Sequence, residues 1–151
     1  MIAQFVLDAW AVIALLQAEE PAATRVRDLL DMAAAGQTRL FLSIINLGEI
    51  YYSVGRLTSQ TEADETAELI RDLPLTIASA TDDLVFLAAG LKIHRRISYA
   101  DAFAAALAIN LEATLVTGDP ELIQMGDMLR VEPLTRVTSD RTPRNRAETR
   151  E

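Results

Sequence analysis

The sequence predicts an α/β domain of three layers, α/β/α, with helices covering both faces of a central parallel sheet of about five strands. Three observations carry this. Short β-rich apolar runs alternate with longer helical patterns along most of the chain. One helical pattern, "DAFAAALAINL" (101–111), is apolar almost all round and so belongs in the interior. Strands that alternate with helices also specify parallel pairing, because each crossover returns the chain to the same end of the sheet.

The first run, "QFVL" (4–7), reads as a strand that stops at Asp8, and a helix is expected over 9–17. A second helix covers 22–35, and "RLFLS" (39–43) is the second strand. Helices at 44–56 and 60–72 follow, the latter in "TEADETAELIRDL", whose acids mark a solvated face. "PLTIA" (74–78) is the third strand, followed by helices over 81–95 and 100–111. "TLVT" (114–117) is a buried fourth strand. In "GDPEL", Asp119 suits an N-cap and Pro120 the first position of a helix over 120–126. "MLRVEPL" (128–134) closes the sheet as the fifth strand.

At 151 residues and 50% hydrophobic, the chain suits one domain with a substantial core, placed at 1–135. Residues 136–151, "RVTSDRTPRNRAETRE", carry five Arg against three acids and lack apolar periodicity; a polar, disordered tail is expected. No repeat or linker is visible. Without cysteine, disulfides and thiolate metal sites are excluded. The N-terminus has no basic leader, and no apolar run approaches the ~18 residues that would cross a bilayer, so a soluble, cytoplasmic protein without membrane contact is expected. The net charge of −8 argues against broad, sequence-blind adhesion to nucleic acid. It leaves room for clustered acids offset by a cation.

Four acids fall on one edge of such a sheet. Strand C-termini and helix N-termini share that edge, where open α/β sheets bind ligands. Asp8 ends the first strand, Glu49 lies early in the helix after the second, Asp101 starts the buried helix, and Asp119 ends the fourth strand. Asp8 and Asp119 also suit helix caps, and Asp101 suits the positive end of its helix. Glu49 has Ile45, Asn46, Tyr52 and Ser53 as helical neighbours, a mixed face rather than a charged stripe. Two carboxylates ~4 Å apart repel by about 4 kcal/mol at an effective dielectric of ~20, so converging acids need a cation or protonation. Oxygen ligands suit Mg²⁺ or Mn²⁺, and the chemistry expected is metal-assisted attack of water on a phosphodiester.

At these residues the sequence resembles a known family. "FVLDAWAVIALL" is similar to the opening strand and helix of PIN-domain nucleases, "LSIINLGEIYYSV" to their glutamate helix, "ISYADAFAAALA" to their third acidic motif and "LVTGDPEL" to their fourth. The segments occur in family order over nearly all of the first ~135 residues, and the chain length resembles that of the VapC toxins of bacterial type II toxin–antitoxin systems. The resemblance implies a PIN-like fold in which Asp8, Glu49, Asp101 and Asp119 are catalytic and hold the metal, with Thr117 supporting the fourth acid. It also implies an endoribonuclease that cuts single-stranded or loop RNA to leave a 5′ phosphate and 3′ hydroxyl, and a homodimer, and association is expected on the surplus of apolar helix residues, notably "AWAVIALL" (9–16). Its partner would be an antitoxin that points a basic side chain at the acids. Trp10 departs from the family, which more often has a small residue there.

Rival readings remain open at this stage. One is an RNA-processing PIN nuclease without an antitoxin. A phosphoryl-transfer enzyme with Asp8 as nucleophile would want an acid at position 10, where Trp stands. A receiver-like signalling module would want a late-strand lysine, but the sole lysine, Lys92, falls on a helix. His94, near a helix C-terminus, and Met125 and Met128 read as structural. Lys92, Arg95 and Arg96 form a basic cluster before the third acid that could guide an RNA phosphate.

Overall fold

The structure, a computed structural model, describes residues 2–137. Strands β1 (Ala3–Leu7), β2 (Thr38–Ser43), β3 (Thr76–Ala78), β4 (Thr114–Thr117) and β5 (Val131–Pro133) form one sheet in the order β3-β2-β1-β4-β5, every pair parallel. The connections are α1 (Ala9–Leu16), α2 (Ala22–Ala34), α3 (Ile44–Leu57), α4 (Gln60–Arg71), α5 (Asp82–His94), α6 (Tyr99–Leu111) and the short α7 (Pro120–Ile123). The helix expected over 120–126 is one α-helical turn that runs into a 3₁₀ turn at Gln124–Asp127. The tighter winding suits a connection that must reach β5 within a few residues.

Strand alternation divides the core in two. Val6 and Leu115 face one side, where they pack with Leu84, Ala88 and Leu91 of α5, the buried Ala102–Ala108 run of α6, and Leu122 and Met125. Leu7, Leu40, Leu42 and Val116 face the other, against Val12 of α1, Val26 and Leu29 of α2, Ile50 of α3 and Ile70 of α4. Successive strand residues point to opposite faces, so a sheet covered on both sides must be apolar throughout. Each fully buried Leu, Ile or Val contributes about 1.5–3 kcal/mol. The alanines of α6 let it lie close to the sheet.

The apolar run "AWAVIALL", a candidate surface for association, is largely inside: Ala9, Ala11, Val12 and Ala14 of α1 are buried. The reason is that α1 is wedged between the sheet, α2 and α3. Large exposed apolar side chains occur instead on α5, where Phe86 and Ile93 are each 77% exposed.

Of the tail expected from 136 onward, all but Arg136 and Val137 lies outside the described residues. Those two fold back on the α1–α2 loop. Arg136 bridges Pro21, and the Val137 N–H donates to the Glu20 carbonyl at 2.8 Å. Nearby, Arg25 donates through Nε and Nη2 to both Glu132 oxygens, at 2.8 and 2.9 Å, and so fastens α2 to β5.

Candidate functional site

Strand order reverses between β1 and β4: from β1 the chain moves to β2 and β3 on one side, and β4 and β5 lie on the other. This is the switch point at which crossovers diverge and leave a crevice above the strand ends. Asp8 emerges there from β1 and Thr117, Gly118 and Asp119 from β4. The first turn of α6 brings Asp101, and the second turn of α3 brings Glu49.

Asp8 is 1% exposed and caps α1: its Oδ1 accepts the Ala11 N–H at 2.9 Å. Its Oδ2 accepts from the Thr117 hydroxyl, whose oxygen in turn accepts the Asp119 N–H at 3.0 Å. Thr117, fully buried at the end of β4, therefore ties the first acid to the backbone of the fourth. Asp119 caps α7, with Oδ1 accepting the Glu121 N–H at 2.9 Å. Capping occupies one oxygen of Asp119 and leaves the other for a second task.

Electrostatics couple the four acids. Burial raises the Asp8 carboxyl to about 7, against the hydrogen bonds from Thr117 and Ala11; the charges of Asp101 and Asp119 add to the rise. Asp101 is also raised to about 7, first by burial and then by the charge of Asp119, with Glu49 adding and the Ser98 side chain opposing. Glu49 is raised by burial and by Asp119. Near neutrality such groups are partly protonated, and a cation beside them would favour the anions.

The tightest grouping is Asp101, Asp119 and Glu121, each offering a carboxylate oxygen within 4.8 Å of the others. Asp8 and Glu49 stand outside that trio but within reach of its charge. Glu121 escaped the sequence reading because an acid in a first helical turn is favoured by the helix dipole alone. The Asp119 cap and the brevity of α7 hold it beside its neighbours.

Two further residues frame the site without a signal in local spacing. Asn46, one turn before Glu49, is buried; its Nδ2 donates to the Ala100 carbonyl at 3.1 Å and fixes α3 to the start of α6. Its Oδ1 has no partner among the described residues. Trp10, two residues after Asp8, lies over Gly118: a Cβ there would fall 2.3 Å from the indole ring. The Arg136 guanidinium stands 5.1 Å from the Trp10 ring centroid and also bonds Glu19 at 3.0 Å.

A carboxylate cluster at the switch point of a five-stranded parallel sheet defines an acid-lined α/β domain. Residues 5–128 match the PIN domain, and the chain belongs to that family. No curated protein matches it by sequence. Its fold is similar to that of VapBC2 from Rickettsia felis, solved bound to a DNA fragment from its promoter, with TM-score 0.69, 18% identity, and coverage of 87% of this chain and 99% of that one. It is also similar to Mycobacterium tuberculosis VapC20, described as a sarcin-ricin loop cleaving toxin, with TM-score 0.64, 18% identity, and coverage of 81% and 95%. For FitAcB from Neisseria gonorrhoeae the values are 0.61, 20%, 84% and 95%. Among the described residues no helix is long and apolar enough to cross a membrane.

Proposed function

We propose that this PIN-domain chain is a Mg²⁺- or Mn²⁺-dependent endoribonuclease, the toxin of a toxin–antitoxin pair. The observation that carries the reading is the convergence of acids from four separate elements on the β1/β4 switch point, two of them lifted to about 7. An all-oxygen donor set of this kind fits a hard divalent cation. Bound there, such a cation supplies Lewis acidity for attack of water on a phosphodiester.

In this reading Asp8, Glu49, Asp101 and Asp119 hold the metal, and Glu121 joins them. Thr117 keeps Asp8 and the Asp119 backbone in register through its one hydroxyl. Burial and the charge of Asp119 raise Asp101 to about 7, so a cation held there would favour its ionised form. The partners are RNA, a second copy of the chain, and an antitoxin whose basic side chain, an Arg, competes for the same carboxylates. Fold neighbours described as VapBC and FitAB assemblies and a sarcin-ricin loop cleaving toxin support this assignment.

The test is incubation of the purified chain with total RNA, with and without Mn²⁺, followed by mapping of the cut ends. Mn²⁺-dependent cuts bearing 5′ phosphates, abolished by Asp101→Asn, are expected. Cleavage that persists in chelator, or no cleavage of any RNA, would exclude the reading.

A further inference from the structure

The loop between α5 and α6, together with the end of α5, carries Lys92, Arg95 and Arg96 immediately before the helix that presents Asp101. The three do different things. Lys92, itself exposed, donates from Nζ to the Ile97 carbonyl and so closes the loop. Arg95 donates through Nη2 to both oxygens of the exposed Asp127, at 3.0 and 2.8 Å, an ion pair that links the loop to the 3₁₀ turn. Arg96 is exposed and makes no ion pair among the described residues.

Between this loop and α7 lies a cavity of about 260 Å³ lined by Arg95, Arg96, Ile97, Glu121 and Gln124. That is several times the ~30 Å³ that one water occupies in the liquid. Glu121 belongs to both places: it lines the cavity and contributes to the trio with Asp101 and Asp119. The cavity thus adjoins the acid cluster, with the α5–α6 loop bringing the Arg96 guanidinium to it and the α7–3₁₀ segment bringing the Gln124 carboxamide beside Glu121.

We propose that this cavity is a phosphodiester subsite, in which Arg96 and the Gln124 amide take the backbone phosphate next to the scissile one as single-stranded RNA crosses the acid cluster. The inference rests on the nuclease reading above. A polyanion approaching a chain of net charge −8 needs a local cation to bring its backbone alongside carboxylates. An arginine fork suits a phosphate's oxygens, and the Arg95–Asp127 pair fixes the loop that carries Arg96 without competing for the ligand. Arg96 is thus a substrate-binding residue, and Arg95 a positioning one.

The experiment uses the full chain with Asp101→Asn, so that RNA stays intact, and follows the anisotropy of a fluorescent mixed-sequence oligoribonucleotide between about 50 and 200 mM KCl. Adding Arg96→Ala should weaken binding about five- to tenfold at low salt. It should also flatten the log–log salt dependence by roughly 0.7, the value for one phosphate contact on a single strand. Arg96→Lys should recover the slope, and Arg39→Ala, at the opposite end of the sheet, should change neither quantity. An unchanged slope in Arg96→Ala overturns the subsite, as does a parent chain that binds no RNA. So does loss of antitoxin binding with RNA binding intact, which would make the cavity a seat for an acidic side chain of that partner. Mn²⁺-dependent cleavage by the wild type is measured separately. Cleavage with an unchanged slope removes the subsite alone, whereas no cleavage and no binding remove the nuclease reading as well.

Discussion

Replacing Gly118 by alanine places a methyl group 2.3 Å from the Trp10 ring, a distance at which one of the two must move. Gly118 does not have the positive φ that would make glycine necessary for conformation; Gly36, at φ 74°, does. The cost therefore comes from the indole. It is half-buried, packed on the second core, and faced by Arg136. Overpacking of this kind costs about 1–3 kcal/mol, and about 2 kcal/mol lowers the Tm of a chain this size by roughly 4–8 °C. Trp10→Ala alone forfeits half-buried aromatic packing and the cation–π contact, about 2–3 kcal/mol. In that background Gly118→Ala should cost nothing and even add a few tenths of a kcal/mol, since alanine restricts the unfolded chain. Urea unfolding of the four proteins should give a coupling energy of about 2 kcal/mol, with the double variant no less stable than Trp10→Ala. Additive losses would refute the idea that Gly118 is small because Trp10 lies over it.

Other outcomes follow from the same geometry. Asp8 and Asp101 bind protons more tightly in the folded chain than in the unfolded one, so between about pH 4 and 7 the native state holds the extra protons. Stability of the metal-free protein should therefore fall as pH rises through that window and level off above it, as read by urea midpoints, while Mn²⁺-induced stabilisation grows over the same range. Thr117→Val leaves Asp8 Oδ2 and the Asp119 N–H without their shared partner and should cost about 1–3 kcal/mol, visible in thermal unfolding. Sedimentation at tens of micromolar should show a dimer; a monomer alone would count against self-association. An antitoxin whose site-facing Arg is changed to Ala should release RNA cleavage more than it loses affinity, and raised Mn²⁺ should compete with the intact one.

What the sequence made readable is what depends on neighbours along the chain. The β-rich run "TLVT", the all-apolar "AFAAALA" and the capping residues Asp8 and Asp119 report on burial and helix starts within a few residues, and the elements form where those signals lie. The shared edge of the four acids was legible too, because βαβ topology fixes which ends of strands and helices meet. The details of the site depend on tertiary approach and were not legible. Trp10 meets Gly118, and Arg136 meets Trp10, across nearly the whole chain. Glu121 enters the cluster because the Asp119 cap holds a single turn in place. The apolar run of α1 read as an unpartnered surface because periodicity gives the apolar face of a helix but not what covers it.

The account turns on whether the acids at the β1/β4 switch point form one cation site. A Mn²⁺ titration at pH 8, followed by melting temperature, addresses this directly in the wild type and in Asp8→Asn, Asp101→Asn, Asp119→Asn and Glu121→Gln. A ligand that binds the folded state at 100 times its Kd stabilises by about 2.7 kcal/mol, so the wild-type shift should be several degrees. The three Asp variants should lose that shift, and Glu121→Gln should keep part of it. A full wild-type response in Asp8→Asn, Asp101→Asn or Asp119→Asn would contradict the account.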